Sequence, residues 1–354
     1  MAGKNKKSSG GTSAGKKSSG RSGYKSFLNF LRGVIVYSLA LYGLHSMTGC
    51  WSSTYRKASD ECIQKISRTI SSQAKNAQEK IELQPTIVIR NADDLAKSKY
   101  DNLTLGVPTF ACDVIIDRAG YALGYSEKYE QPLWVSYKLT AEEVKSKKAK
   151  RSGDFRSDPD IPGNSASPED YKGSFFDRGH LAPAADMSFS LQAMSESFYM
   201  SNMSPQRPEF NRGIWKKLEA KVRDYAVANG AIYVISGPVF DPDTPAITIG
   251  SNKVAVPDKY YKVLLDPDSS DPKAIGFIFD NRDCKKPLQD YAVTIDMIEE
   301  LTGLDFFNQL DPDDERTLES ECNYLLWERS LPLKNDGKKK VKSSARRQKS
   351  KRRK

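Results

Sequence analysis

Between residues 113 and 301 short apolar runs are punctuated by turn residues and by one long amphipathic segment, and this order restricts the fold more than any other feature. Asp113–Ile116 and Tyr121–Tyr125 flank Asp117-Arg118-Ala119-Gly120, which predicts a β-hairpin. Pro132–Leu139 alternates like a further strand, and residues 145–168 read as a polar loop containing Pro and Ser. From Glu209 to Asn229 the spacing predicts a helix, with Ile214, Leu218, Val222 and Tyr225 on one face and Gly230 as its stop. Ala231–Phe240, Tyr260–Leu265 and Ala274–Phe279 read as strands, and Tyr291–Leu301 as a helix ended by Gly303. Together these elements predict an α+β domain, a central antiparallel sheet flanked by helices.

On either side of this region the composition changes. Residues 1–25 carry seven Lys/Arg and residues 338–354 carry eleven, with no acid in either stretch. Taking those eighteen charges from the formal +10 leaves −8 for residues 26–337, so net charge gives no argument that the domain itself binds polyanions. Residues 1–25 and 334–354 are expected to be disordered basic tails. Residues 26–50 contain an apolar run, 27–47, whose only formal charge is Arg32 and which is long enough to cross a bilayer. After a wholly basic tail this predicts a transmembrane anchor or signal segment. It would make a single-pass protein whose domain is extracytoplasmic, periplasmic or on the cell surface. Met47-Thr48-Gly49-Cys50 adds the option of a lipoprotein acylated at Cys50.

Residues 51–100 read as a helical stalk or linker, with Ile63, Ile66, Ile70, Ala74, Ala77 and Ile81 on one face and Pro85 closing the pattern. The main domain is assigned to residues 101–333. With Cys50 set aside, Cys62, Cys112, Cys284 and Cys322 are an even number that an exported domain can pair, and their spacing suits no common zinc site.

Histidine is scarce. Of the two in the chain, His45 lies in the apolar run, so imidazole chemistry in the domain falls to His180. That excludes a histidine-rich metal site, and there is neither a GxGxxG nor a P-loop sequence. A lone histidine is more often structural than catalytic, so context has to single it out. His180 closes Asp177-Arg178-Gly179-His180 and runs into Leu181-Ala182-Pro183-Ala184-Ala185-Asp186-Met187. Asn202 follows near the end of a second strand, and Asn211 opens the long helix. Glu219 lies about two turns beyond Asn211 on nearly the same face, and Arg223 one turn further. Taken singly, Asn211 reads as a helix cap, Glu219 as a solvated charge and Asp177 as a turn or Arg-orienting residue. Trp134, Trp215 and Trp327 read as core.

As a set, these blocks resemble the DNA/RNA non-specific endonucleases of the ββα-metal superfamily, which include endonuclease G-like enzymes. DRGHLAPAADM, SNMSPQ and NRGIWKKLE match in order and spacing, and weaker similarity runs from about Gly106 to Leu310. The resemblance implies the ββα-metal nuclease fold and metal-dependent hydrolysis of DNA and RNA phosphodiesters with little sequence specificity. It implies His180 as the general base that activates water, Asn211 as the side-chain ligand of one Mg2+, or Mn2+ in its place, and Glu219 as the residue positioning metal-bound water. Arg178, Asn202 and Arg223 match supporting active-site positions. Arg151 and Arg156 both remain candidates for an upstream phosphate-clamping arginine. The implied partners are DNA and RNA, the membrane through residues 27–47, and a second copy in a homodimer as an open option. Two rivals stand beside this reading: a membrane-anchored nucleic-acid-binding protein without turnover, and a cysteine hydrolase pairing His180 with Cys112, Cys284 or Cys322. The tail Lys338–Lys354 reads as a solvated end, a nuclear localisation signal or a polyanion tether acting by counterion release.

Overall fold

The computed structural model describes residues 84–332 apart from 110, 164, 242, 243 and 245. The apolar run 27–47, Cys50, residues 51–83 of the expected stalk or linker and both basic tails lie outside the described residues. Among the described residues no helix is long and apolar enough to cross a membrane.

The core is an eight-stranded sheet in the order β1-β2-β3-β4-β7-β10-β11-β12, with every neighbouring pair antiparallel. β2 (Val114–Asp117) and β3 (Ala122–Ser126) form the expected hairpin, closed where the Arg118 N–H donates to the Tyr121 carbonyl. β4 (Gln131–Thr140) follows at once. β1 (Ile87–Ile89) pairs with β2, so the sheet begins within the stretch expected as linker. β7 (Ala231–Val239), β10 (Lys259–Asp266), β11 (Lys273–Asp280) and β12 (Ala292–Val293) complete it. β8 (Thr248–Ile249) and β9 (Val254–Ala255) make a separate ribbon, as do β5 (Asp177–His180) and β6 (Met203–Gln206).

Strand periodicity divides the core in two. In β10, Tyr260 and Leu264 enter one apolar cluster, while Tyr261, Val263 and Leu265 enter another. Trp215, Leu218, Val222 and Tyr225 of the long helix, together with Leu181 beyond β5, pack into the first. Ile295 and Ile298, with Leu304 and Phe306 beyond them, pack into the second. The β5–β6 ribbon, the long helix and Trp327 near the C-terminus are therefore associated with one face of the sheet, and the segment from Ile295 to Leu318 with the other. Trp134, Trp215 and Trp327 are all buried, as their size and apolarity suggested.

The helix expected over Glu209–Asn229 is interrupted near its start. Pro208–Phe210 form one turn, and Asn211–Trp215 wind as a wider π-type turn in which Gly213 leaves helical φ/ψ (−95°, −109°). Regular winding then continues as Lys216–Asn229 and stops at Gly230, whose φ is +89°. Such wide turns recur where a helix must re-aim a side chain. The helix expected over Tyr291–Leu301 is shorter, Ile295–Thr302. The Thr294 hydroxyl accepts from the Met297 N–H and fixes its start, which leaves Ala292–Val293 to pair as β12. Gly303 ends it in the left-handed region, φ +69°. Three of the four cysteines considered for pairing, Cys112, Cys284 and Cys322, are free thiols.

Four numbered helices matter below: α1 (Ala141–Lys145), α2 (Leu191–Glu196), α3 (Lys216–Asn229) and α4 (Ile295–Thr302). Leu218 of α3 is completely buried between the helix and the sheet. We expect Leu218→Ala to cost roughly 2–5 kcal/mol through lost burial and the cavity left behind, read as a lower urea midpoint at unchanged slope.

Candidate active site

The β5–β6 ribbon places the DRGH block. His180 pairs in register with Met203 and Asp177 with Gln206. Gly179 has no side-chain alternative, because a Cβ there would run into the Gln206 amide. His180 is 8% exposed, and its ring is held edge-on by Phe155 (centroids 5.6 Å) and Phe198 (4.9 Å). Its Nε2 is buried without a hydrogen-bond partner. Burial, then the positive charges of Arg151 and Arg178, hold the imidazole pKa down at about 3. Those guanidiniums lie over the flanking rings, Arg178 over Phe155 at 4.0 Å and Arg151 over Phe198 at 4.9 Å. Two aromatic walls and two cations thus keep one imidazole neutral.

Beside this cluster opens a cleft of about 560 Å³, whose lining includes Phe155, Arg151, Arg178, Asp177, Asn211 and Arg212. Asn211 sits at the start of the π-type turn. Its Nδ2 donates to Asp177 Oδ2 at 2.9 Å, and Arg212 grips the same carboxylate through Nε (2.8 Å) and Nη2 (2.6 Å). With its amino group engaged, the Asn211 amide keeps its carbonyl oxygen for another partner. Asp177 is therefore a positioning residue for Asn211 as well as a partner of an arginine, a pairing 34 residues apart that its place in the motif does not announce. The oxygen it leaves available suits a hard divalent cation, so Asn211 fits the role of a Mg2+ or Mn2+ ligand.

Behind the cleft runs a buried polar layer. Arg223 Nη1 donates to Asp186 Oδ1 at 2.7 Å, and the Tyr137 hydroxyl donates to Asp186 Oδ2 at 2.9 Å. Lys262 is completely buried, donates to Ser236 Oγ at 2.8 Å and lies 4.6 Å from the centre of the Trp215 ring. Ser236 in turn donates to the carbonyl of Leu181, the residue after His180. Glu219 is half-buried. Burial raises its carboxyl pKa, while Lys262, Arg223 and Arg151 pull it back down. Burial likewise lowers the Lys262 pKa, with Glu219 and Asp186 opposing.

Arg178 and Asn211 therefore line the cleft, His180 lies against Phe155 of its wall, and Glu219 and Arg223 belong to the buried polar layer. Asn202 has a different place. It is buried, accepting from the Ala182 N–H and donating to the carbonyls of Ala182 and Ser197, so its amide fastens the chain just after β5. Of the two upstream arginines, Arg151 is exposed in the cleft. Arg156 is tied to Asp154, to Ser195 of α2 and to the face of Tyr199. Lys262 was missed, although a lone lysine in phase with Tyr260 and Leu264 in an apolar strand was a legible signal.

A profile describing DNA/RNA non-specific endonucleases matches residues 99–313. Nuclease C1 of Cunninghamella echinulata var. echinulata is 37% identical over 223 residues, covering 59% of this chain and 88% of that protein. The mitochondrial nuclease EXOG of Xenopus laevis is 38% identical over 54% of this chain and 58% of its own length. Human mitochondrial endonuclease G is 36% identical over 53% and 68%. A crystal structure of EndoG in complex with EndoGI superposes with a TM-score of 0.55 at 33% identity, covering 59% of this chain and 91% of that one.

These relatives correct the expected address. EXOG of Xenopus laevis and human endonuclease G are mitochondrial nucleases, not single-pass surface proteins, and among the described residues no helix is long and apolar enough to cross a bilayer. The extracytoplasmic placement is withdrawn with it, while the apolar run 27–47 lies outside the described residues. The reading failed because hydropathy and flanking charge report what a segment is able to do in a bilayer, not where the chain is sent.

The depressed imidazole pKa has a measurable sign. The unfolded chain takes up this proton near pH 6.5 and the folded one only near 3. The group therefore supports folding in full above that window and loses its contribution as pH falls through it. In an NMR titration of the substrate-free protein, His180 should show no protonation step between pH 8 and 5; a midpoint near 6.5 would overturn the assignment.

Proposed function

The chain belongs to the DNA/RNA non-specific endonuclease family, and from that premise we propose that it hydrolyses phosphodiester bonds of DNA and RNA with His180 as general base. We assign the nuclease domain to residues 101–333. The observation that carries this reading is the His180 imidazole, walled by Phe155 and Phe198, beside a cleft that presents Asn211 and three arginines.

Hydrolysis needs a proton acceptor for the attacking water, neutralisation of the phosphoryl oxygens and relief of charge on the leaving alkoxide. Neutral His180 takes the water proton as the water oxygen bonds to phosphorus and the bond to the leaving oxygen breaks. A bound phosphodiester brings negative charge beside the ring, which raises the imidazole pKa from its substrate-free value toward the working range. Arg151 and Arg178 fork the non-bridging oxygens. Asn211, held by Asp177, would ligate a divalent cation, Mg2+ or Mn2+, and Glu219 would hold water beside it. When bound, that cation would supply Lewis-acid stabilisation of the negative charge that develops during cleavage. Arg223 and Asn202 act through others, Arg223 by balancing Asp186 and Glu219, Asn202 by fixing the chain after His180. Phosphate contacts carry no base information, which accounts for low sequence preference.

The thiol alternative is disfavoured by chemistry at each cysteine. Burial pushes the Cys112 thiol up to about 12 and raises Cys284 and Cys322 as well, so all three stay protonated and weakly nucleophilic. Cys112 and Cys284 donate to the carbonyls of Thr109 and Asp280. Binding without turnover is separated from catalysis by one assay.

His180→Ala should keep the far-UV spectrum and lower plasmid and RNA cleavage by roughly 10²–10⁴-fold; full activity in that variant would sink the mechanism. EDTA should stop the wild-type enzyme, and added Mg2+ should restore it. Arg151→Ala should raise KM, whereas Arg156→Ala should lower the melting temperature with a smaller effect on KM. The opposite pattern would assign the phosphate clamp to Arg156.

A further inference from the structure

A second cluster of ionisable groups lies in residues 295–320, whose apolar residues Ile295, Ile298, Leu304, Phe306 and Leu318 join the core cluster on the other side of the sheet from α3. Asp296 and Glu299 leave α4 three residues apart, hence from one face, and Glu319 leaves the end of α5 (Pro312–Ser320). One carboxylate oxygen from each lies within 4.8 Å of the other two. Oxygens that share a Ca2+ at 2.3–2.6 Å are at most about 5 Å apart, so the three are already within the span of one ion.

A second observation points to a ligand. Glu319 is only 6% exposed, and its Oε1 has no hydrogen-bond partner. The largest charge effects on it come from Glu299, Glu315, Asp296 and Asp305, all acidic. Among the described residues no lysine or arginine forms an ion pair with any of the three ligands. One oxygen of Glu299 accepts the Phe306 N–H, which orients that carboxylate and leaves its second oxygen uncommitted. A carboxylate buried among like charges without a donor is disfavoured in its ionised form, and a divalent cation between the three restores that form.

We propose that Asp296, Glu299 and Glu319 form a Ca2+ site, distinct from the Asn211 position, that fastens α5 to α4. Ca2+ suits it better than Mg2+. Three carboxylates on two separate helices with one exposed side offer the adaptable, partly hydrated shell that Ca2+ accepts, whereas Mg2+ demands near-ideal octahedral geometry and keeps most of its water. The site is independent of the proposed cleavage mechanism.

The test uses the full chain, stripped with EDTA and dialysed, then titrated with CaCl2 by calorimetry and followed by thermal unfolding. Wild type should bind Ca2+ and melt roughly 5–10 °C higher at a hundred times the dissociation constant. Glu319→Gln and Asp296→Asn should each weaken that binding roughly tenfold or more and remove the rise. Asp296 is exposed, so its variant leaves the core packing intact. Asn211→Ala should retain both binding and rise. The proposal is overturned if wild type shows no Ca2+-dependent rise. It is overturned equally if Glu319→Gln and Asp296→Asn bind as wild type does, or if Asn211→Ala alone abolishes binding.

Discussion

Four charged side chains share the layer between the central sheet and α3, and the geometry of the cleft depends on their mutual neutralisation. Asp186 and Glu219 are balanced by Arg223 and Lys262, with Tyr137 and Ser236 completing the hydrogen bonds. Isolated burial of any one charge would cost far more than a typical packing contact contributes. Paired, they bind a strand residue to a helix residue and both to the loop after His180. Lys262 reaches through Ser236 to the Leu181 carbonyl, so the sheet itself sets the height of the DRGH block.

The cleft side of that layer works by opposite means. His180 is surrounded by aromatic edges instead of hydrogen-bond partners, and the nearest cations face it across those rings. This combination withholds the proton from a ring that is buried against them. Asn211 is treated differently again, with one end of its amide fixed by Asp177 and the other left available. Asn211 opens the π-type turn, and from there its amide reaches an aspartate on a strand 34 residues earlier.

Much of this was legible in the chain. The hairpin at residues 117–120, the long helix with its stop at Gly230, and the strands around Ala231, Tyr260 and Ala274 follow from periodicity and turn chemistry, which are local properties. The start of α4 was misplaced because Thr294 caps the helix and the two residues before it pair with β11, a long-range event. Asn202 was grouped with cleft residues by its motif, yet all its amide contacts go to backbone.

By itself the sequence determined the alternation of elements, the single domain histidine and the order of the three motif blocks, because each is written in consecutive residues. Tertiary structure alone decided which arginine lines the cleft, which way the Asn211 amide faces, and that Lys262 lies beneath Trp215. It alone also set three carboxylates of α4 and α5 against one another. The physical reason is common to all four: a charge or dipole takes its meaning from neighbours brought within a few ångströms by folding, and those neighbours are tens of residues away in the chain.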